Sequence, residues 1–320
     1  MRTFRPIPFL VTLLVFVAAA DAQSDVPRPV AGKSIVLHQK QTKVQPTKDG
    51  PMTMVAEVPI TVTVLQADAQ RTVIRWQRGV LKITDVDNEI VRKNPAVKPM
   101  LLQAAVAMVG PIISAMDDLA FDLMFSPNWD YLGLANYDQA LAGAKKSLDA
   151  MDEMRRKNGG KPLEPAMREA MLNRKIIEQV FPKEALTYLA GQTYAVRRGA
   201  TAAFTGKMPN PLGADPVASR TQVTFDQAND ANGHAVIHTA STVEMDQWVA
   251  SLKQMIAKAP SGKALSAEDE QKMRQMQLEW NAEYRIDPAT GLPTWAQYTT
   301  SAKGPTGEMT EVFLWTGEPR

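Results

Sequence analysis

MVAEVPITVTV, residues 54–64, is the stretch that decides the fold class of this chain. Every second residue of it is apolar, whereas Glu57, Thr61 and Thr63 lie at positions between the apolar ones. Alternation with a period of two predicts a β-strand with one buried face, and burial of one face is typical of antiparallel sheets. MQLEWNAEYRI, residues 276–286, shows the same alternation, with a polar residue at every intervening position.

Further strands are predicted on both sides of these two. They cover residues 34–44, 71–84, 119–125, 193–204, 221–227, 234–243, 293–302 and 308–315. Turn-forming Asp, Asn, Pro and Gly residues separate several of them, as in DPATG at residues 287–291, and the last four strands are expected to form a meander. Pro59 has no backbone N–H to donate, so it predicts a sheet edge or a bulge within residues 54–64.

Helical segments interrupt the strands. They are predicted at Pro99–Ala115, Asn136–Arg156, Leu163–Val180, Met245–Ala259 and Ser266–Met273. The first is almost wholly apolar, and its Gly110-Pro111 pair should break or kink it. The predicted fold class is therefore α+β: a curved antiparallel sheet or half-barrel of long strands with helical insertions. Residues 34–320 are expected to form a single domain with a helical excursion at 136–180 and a second insertion at 245–273.

The N-terminus has the three parts of a signal peptide. Arg2 and Arg5 precede an apolar run, Leu10–Ala20 (LVTLLVFVAAA), and Ala20-Asp21-Ala22 has the small-x-small form of a cleavage site. The run is shorter than the ~20 residues that cross a bilayer, so no transmembrane segment is expected after cleavage. Residues 1–22 are therefore predicted to be a signal peptide, 23–33 a flexible leader, and the mature protein periplasmic or secreted.

Composition excludes several classes of protein. The chain has no cysteine, which excludes disulfides, a thiolate nucleophile and a lipid-modified N-terminal cysteine. The balance of 36 basic and 34 acidic residues gives no electrostatic basis for a nucleic-acid partner. The common hydrolase and dinucleotide motifs do not occur in a suitable setting. Gly32-Lys33-Ser34 resembles the end of a phosphate-binding loop, but Pro27 stands where its first glycine is needed. No cofactor and no catalytic residue is predicted.

No metal site is predicted either. His234 and His238 lie four positions apart on a predicted strand, which separates them by about 13 Å, too far to share one metal ion. Two acidic clusters lack the glycine and distal glutamate of a helix-loop-helix calcium site, and solvated turn carboxylates are the simpler interpretation. These clusters are Asp85, Asp87 and Glu89, and Asp226, Asp230 and Asn232.

In the order of these elements, the chain resembles bacterial envelope proteins built as a curved half-barrel with helices against the concave side, the lipoprotein-carrier type. The resemblance covers most of the chain after residue 22 and depends on layout alone. It implies that the concave face holds an apolar ligand or a lipid. The excursion at 136–180 is a departure from that group, and no site residue is carried over.

The candidate site is the apolar helix predicted at Pro99–Ala115. A helix that is apolar on nearly all sides is enclosed by protein, covered by lipid, or used as a removable plug over an apolar cavity. Gly110-Pro111 would serve such a plug as a hinge. Met108, Gly110 and Ile112 are accordingly the candidate ligand-binding residues.

Three functions follow as hypotheses. The first is a non-catalytic periplasmic or secreted protein that binds an apolar ligand or another envelope component. The second is a hydrolase-like enzyme with an unrecognised carboxylate site, for which Asp117, Asp118 and Asp122 are the first residues to test. The third is a structural or scaffolding module, which predicts no small-molecule ligand. No oligomeric state follows from these features.

Overall fold

The computed structural model describes residues 24–47, 50–114, 119–157, 159–208, 217–258, 266–304 and 307–319. In these ranges twelve strands form one antiparallel sheet. They are β1 (Ser34–Thr47), β2 (Gly50–Ala67), β3 (Thr72–Arg78), β4 (Lys82–Asp87), β5 (Ala120–Phe125), β6 (Tyr131–Leu134), β7 (Thr201–Met208), β8 (Val217–Phe225), β9 (Ala235–Val243), β10 (Gln277–Ile286), β11 (Pro293–Gly304) and β12 (Gly307–Pro319).

Eight α-helices accompany the sheet in the same ranges. They are α1 (Glu89–Lys93), α2 (Lys98–Ser114), α3 (Tyr137–Lys157), α4 (Pro165–Met171), α5 (Arg174–Val180), α6 (Lys183–Leu189), α7 (Met245–Lys258) and α8 (Ala267–Arg274). Short 3-10 helices cover Pro95–Val97 and Ala190–Gln192.

The strand order is β6-β5-β3-β2-β1-β12-β11-β10-β9-β8-β7, and β4 also pairs with β2. The chain thus runs outward from β1 to one edge of the sheet, leaves it as helices α3 to α6, and enters again at the opposite edge. From β7 it returns inward to β12, which pairs with β1 over the register Ile35↔Pro319 to Val44↔Thr310. The predicted α+β class, an open curved antiparallel sheet with helical insertions, is confirmed.

Side-chain alternation gives the sheet two different faces. In β10, Leu278, Trp280, Ala282, Tyr284 and Ile286 are all buried, and the residues between them are half-buried or exposed. We call the buried side the inner face and the opposite side the outer face. The two strands that alternate most cleanly in the sequence therefore fold as that pattern predicts.

Helix α6 packs on the inner face and fills it. Five consecutive residues, Ala185–Leu189, are buried, and the Tyr188 ring centroid lies 5.4 Å from that of Trp76 and 5.9 Å from that of Trp315. The Tyr188 hydroxyl donates a hydrogen bond to the carbonyl oxygen of Pro293, and burial raises the pKa of Tyr188. The sequence analysis assigned no element to residues 181–192, so it missed this helix.

Pro59 is in the sheet interior and not at an edge, and the pairing beside it is irregular, as expected for the bulge that was the other prediction. Residues 60–67 of β2 pair with β3 and residues 53–57 pair with β4, so Pro59 lies opposite the β3–β4 connection. Its carbonyl oxygen accepts a 2.8 Å hydrogen bond from Gly79 N in that connection. The N–H and C=O of a strand residue point to the same side. The N–H that Pro59 lacks would therefore point at the β3–β4 connection, where the strand pairing is interrupted. The predicted strand 71–84 is accordingly two strands.

Two other predicted elements differ from the structure. The helix predicted at Leu163–Val180 is divided into α4 and α5, because the Asn173 side chain accepts a 2.9 Å hydrogen bond from Lys175 N and starts a new helix. The strand predicted at 193–204 begins only at Thr201, after a turn in which Gly199 has a φ of 73°. A left-handed residue at this position favours glycine.

Residues 23–33 are predicted to be a flexible leader. From Ser24 onward, where the structure describes it, this segment packs against the fold. Val26 is buried in the core, and the Arg28 guanidinium lies 5.6 Å from the centroid of the Trp129 ring. Val30 N donates a 3.0 Å hydrogen bond to the carbonyl oxygen of Thr290. Residues 1–23, which include the predicted signal peptide, lie outside the described residues.

The packing of α6 predicts the effect of removing its central ring. Tyr188→Ala deletes a fully buried aromatic side chain and should lower the free energy of unfolding by about 3–5 kcal/mol. Met100→Ala is the control, because its side chain is exposed and the expected change is within about 0.5 kcal/mol. Urea unfolding followed by far-UV circular dichroism measures both, and equal effects of the two changes would contradict this packing.

Candidate functional site

Helix α2 is the apolar helix of the sequence analysis, and it is continuous through Gly110-Pro111. The predicted break at this pair is therefore absent, although a proline within a helix removes one backbone hydrogen bond. Met108, Gly110 and Ile112 all belong to α2. Their side chains lie outside the described residues.

The first half of α2 is not enclosed by protein. Between Lys98 and Val106 every side chain is half-buried or exposed, and Met100 and Val106 have 62% and 45% of their surface exposed. Leu101 and Leu102 are half-buried. Core burial was one of the three alternatives for this helix, and it does not hold for residues 98–106. We call Met100, Leu101, Leu102 and Val106 the apolar surface of α2.

Local capping positions the chain just before α2. The Asn88 side chain accepts a 2.9 Å hydrogen bond from Val91 N and caps α1. Val91 is buried, whereas its neighbour Ile90 has 47% of its surface exposed. The cap and the buried valine therefore fix α1 to the fold while an apolar side chain remains on its surface.

Ion pairs attach α1 and α2 to the end of β4. Lys98 Nζ lies 2.6 Å from Asp85 Oδ1, and Arg92 Nε lies 3.0 Å from Asp87 Oδ2. Within α1, Lys93 Nζ lies 2.6 Å from a Glu89 carboxylate oxygen. The hydrogen bond that the Lys98 ammonium donates to Asp85 raises the pKa of Lys98. The acidic cluster 85–89 therefore consists of carboxylates that each have a basic partner and hold the apolar helix in place.

Asp122, a candidate of the enzyme hypothesis, is a member of a bidentate ion pair. Its two carboxylate oxygens each accept a 2.8 Å hydrogen bond from the Arg75 guanidinium, and this contact raises the pKa of Arg75. Both oxygens of the Asp122 carboxylate are thus already engaged by one arginine. Asp117 and Asp118 lie outside the described residues.

The histidines of β9 and its preceding turn have separate carboxylate partners. His234 Nδ1 lies 3.3 Å from Asp230 Oδ2, and His238 Nε2 lies 3.4 Å from Asp226 Oδ2. The segment is a strand, as predicted, and the structure does not bring the two rings to one site. Across the described ranges, no group of three His, Asp or Glu side chains is arranged to hold a metal ion.

Lys183 is a half-buried titratable residue that the sequence analysis missed. Burial lowers the pKa of its ammonium to about 8, although Glu311 and Glu184 act in the opposite direction. Glu311 accepts a 2.7 Å hydrogen bond from Gln41 Nε2, and Glu184 Oε2 lies 3.7 Å from Arg78 Nε. Glu311 and Glu184 thus have other partners close by. One sequence feature could have indicated that Lys183 is partly enclosed. It follows Pro182 and stands two residues before the apolar run ALTYLAG, residues 185–191.

Comparison with known proteins finds little. No protein-family model matches the chain, and no curated protein matches its sequence. Matching solved structures include lipovitellin, from a study of its lipid–protein interactions, at 7% identity and a TM-score of 0.43 over 91% of this chain and 26% of that one. DynF of the dynemicin pathway of Micromonospora chersina matches at 6% identity and a TM-score of 0.19, over 98% and 92%.

An outer membrane channel from Pseudomonas putida F1 matches at 8% identity and a TM-score of 0.20, over 92% of this chain and 98% of that one. All three values indicate a weak architectural likeness only. Among the helices of the described ranges, none has both the length and the hydropathy needed to span a bilayer.

The lowered pKa of Lys183 predicts a specific pH dependence of stability. The folded-state pKa is about 8 and the ordinary value is 10.5, so between these values the unfolded chain binds more protons than the folded one. The contribution of Lys183 should therefore raise the free energy of unfolding as pH increases through this window, by at most about 1.4 kcal/mol per pH unit.

Lys183→Met removes this contribution. The variant should be more stable than the wild type at pH 7, with a smaller rise between pH 8 and 10 in urea unfolding measured across that range. Ionisation of the buried tyrosines occurs in both proteins, so it cancels in the comparison. Lys82→Met, at an exposed lysine of β4, is the control and should keep the wild-type profile. Identical profiles for Lys183→Met and the wild type would contradict the burial of this ammonium.

Proposed function

We propose that this protein is an exported, non-catalytic binding protein that takes up an apolar ligand or another envelope component through the apolar surface of α2. The observation that carries the proposal is a helix with apolar side chains exposed on a folded domain. Met100 alone has 62% of its surface exposed. Exposed apolar surface on a folded domain marks a candidate place for a ligand or partner to bind.

The location of the proposed site follows from the packing of the sheet. A lipoprotein-carrier-like protein holds its ligand against the concave side, but here Tyr188, Trp76 and Trp315 fill the inner face around α6. A ligand there would have to displace a buried helix. Helix α2 requires no such displacement, because residues 98–106 already contact solvent.

The ion pairs of α1 and α2 also support a binding role. Asp85 holds Lys98 at the first residue of α2, and Asp87 holds Arg92 in α1. The start of the apolar helix is therefore fixed on the sheet and does not need to fold when a partner arrives. A preorganised surface loses less conformational entropy on binding than a disordered one.

The binding proposal is tested with N-phenyl-1-naphthylamine, whose fluorescence increases in an apolar site. A double variant with Met100→Glu and Val106→Glu places two charges on the apolar surface and should weaken uptake by about tenfold or more. Titration of the probe into wild-type and variant protein measures the effect.

Met167→Glu is the matched control, since this methionine of α4 has 52% of its surface exposed but lies outside the apolar surface of α2. It should leave uptake unchanged. Equal loss in the control and the double variant would show that α2 is not the site. Absence of uptake by the wild type would favour the structural-module hypothesis.

Export is tested separately on the full-length chain. Expression in a Gram-negative host should give periplasmic protein whose intact mass corresponds to a chain beginning at Gln23. Leu14→Arg introduces a charge into the apolar run of the signal and should leave the uncleaved precursor in the cytoplasm. Recovery of wild-type protein with residues 1–22 still attached in the cytoplasm would contradict this part of the proposal.

A further inference from the structure

A polar groove crosses the outer face of the sheet. Its strands are far, in the order of the sheet, from β4, the strand that an ion pair joins to α2. The groove has a volume of about 370 Å³ and is lined by residues of β8, β9, β10 and β11. Since neighbouring strands are about 4.8 Å apart, the groove extends over roughly 14 Å across these four strands.

Sheet register explains how the groove arises. Ala240 pairs with Gln222 on one side and with Asn281 on the other, and Asn281 pairs in turn with Thr299. A small side chain between two longer ones forms a depression in the sheet surface. The next row, Thr224, His238, Glu283 and Gln297, is likewise in register and borders the same depression.

The groups that line the groove both donate and accept hydrogen bonds. Gln222, Asn281 and Gln297 each present a carboxamide, and none of these amides bonds to another side chain in the described ranges. An amide supplies two donor hydrogens and an acceptor oxygen. Three such exposed groups, carried by paired strands, match neighbouring hydroxyl groups, each of which is also donor and acceptor.

One aromatic residue and one carboxylate complete the lining. Trp295 is half-buried in the wall of the groove, and the Arg285 guanidinium lies 4.5 Å from its ring centroid. Arg285 Nε also donates a 2.9 Å hydrogen bond to Glu283, which fixes that carboxylate. Tryptophan has an apolar body and a polar N–H, so it contacts ligands with both apolar C–H faces and hydroxyl groups.

From this arrangement we infer that the groove binds a neutral oligosaccharide, with Gln222, Asn281 and Gln297 bonding its hydroxyl groups and Trp295 contacting a ring face. The length of the groove suits more than one sugar ring. Glu283 is paired with Arg285, so its carboxylate is already engaged and is a poor ligand for a metal ion.

The inference is tested by isothermal titration calorimetry of the whole protein with chitotetraose, maltotetraose and cellotetraose at millimolar concentration. At least one should bind, and Ala240→Phe, which fills the floor of the groove, should weaken that binding by about tenfold or more. Asn281→Ala, which removes one amide and leaves the floor open, should weaken it by about two- to tenfold.

Thr242→Phe is the matched control, because Thr242 lies on the same strand and the same face two residues beyond Ala240, outside the groove. It should bind the sugar as the wild type does. Tetraalanine is the peptide probe and should not bind. The inference is overturned if none of the three sugars binds, if tetraalanine binds in their place, or if Ala240→Phe and Thr242→Phe have equal effects.

Discussion

Contact between Tyr188 and the tryptophans of two distant strands is the interaction on which the architecture depends. Trp76 belongs to β3 and Trp315 to β12, and β2 and β1 lie between them in the sheet. These strands would be roughly 14 Å apart on a flat surface, yet both rings lie within 6 Å of Tyr188. The side chains therefore converge over the inner face, and α6 packs across the β1–β12 pairing that joins the two halves of the sheet in the described ranges.

Because protein side chains fill the inner face, the two faces of the sheet differ in their chemistry. The inner face contains a helix, aromatic rings and a half-buried lysine, and the outer face contains amides, hydroxyls and paired charges. The two proposed binding surfaces accordingly lie outside the core, on the exposed half of α2 and on the outer face near Ala240. Neither surface needs the core to open, so a ligand at either one is compatible with a rigid fold.

The sequence predicted the strands well because alternation is a local signal with a direct cause: every second side chain of residues 54–64 and 276–286 meets the same core. It did not reveal α6, since a helix of seven residues with five consecutive buried ones is too short to show a helical period. The position of Pro59 was predicted only in part, because a proline is tolerated inside this sheet only where β3 ends and β4 begins. That interruption is a tertiary feature and leaves no local pattern in the sequence. The paired amides around Ala240 depend on register between strands far apart in sequence, which no local pattern contains.

Pairing of the first strand with the last has a consequence for biogenesis. The strands β1 and β12 adjoin at the middle of the sheet, so residues far apart in the sequence, such as Ile35 and Pro319, meet at its central seam. Contacts of such large sequence separation form slowly. Until β12 is made, the edge of β1 that it covers is unpaired, and an unpaired strand edge is a site of aggregation from which chaperones protect a folding chain.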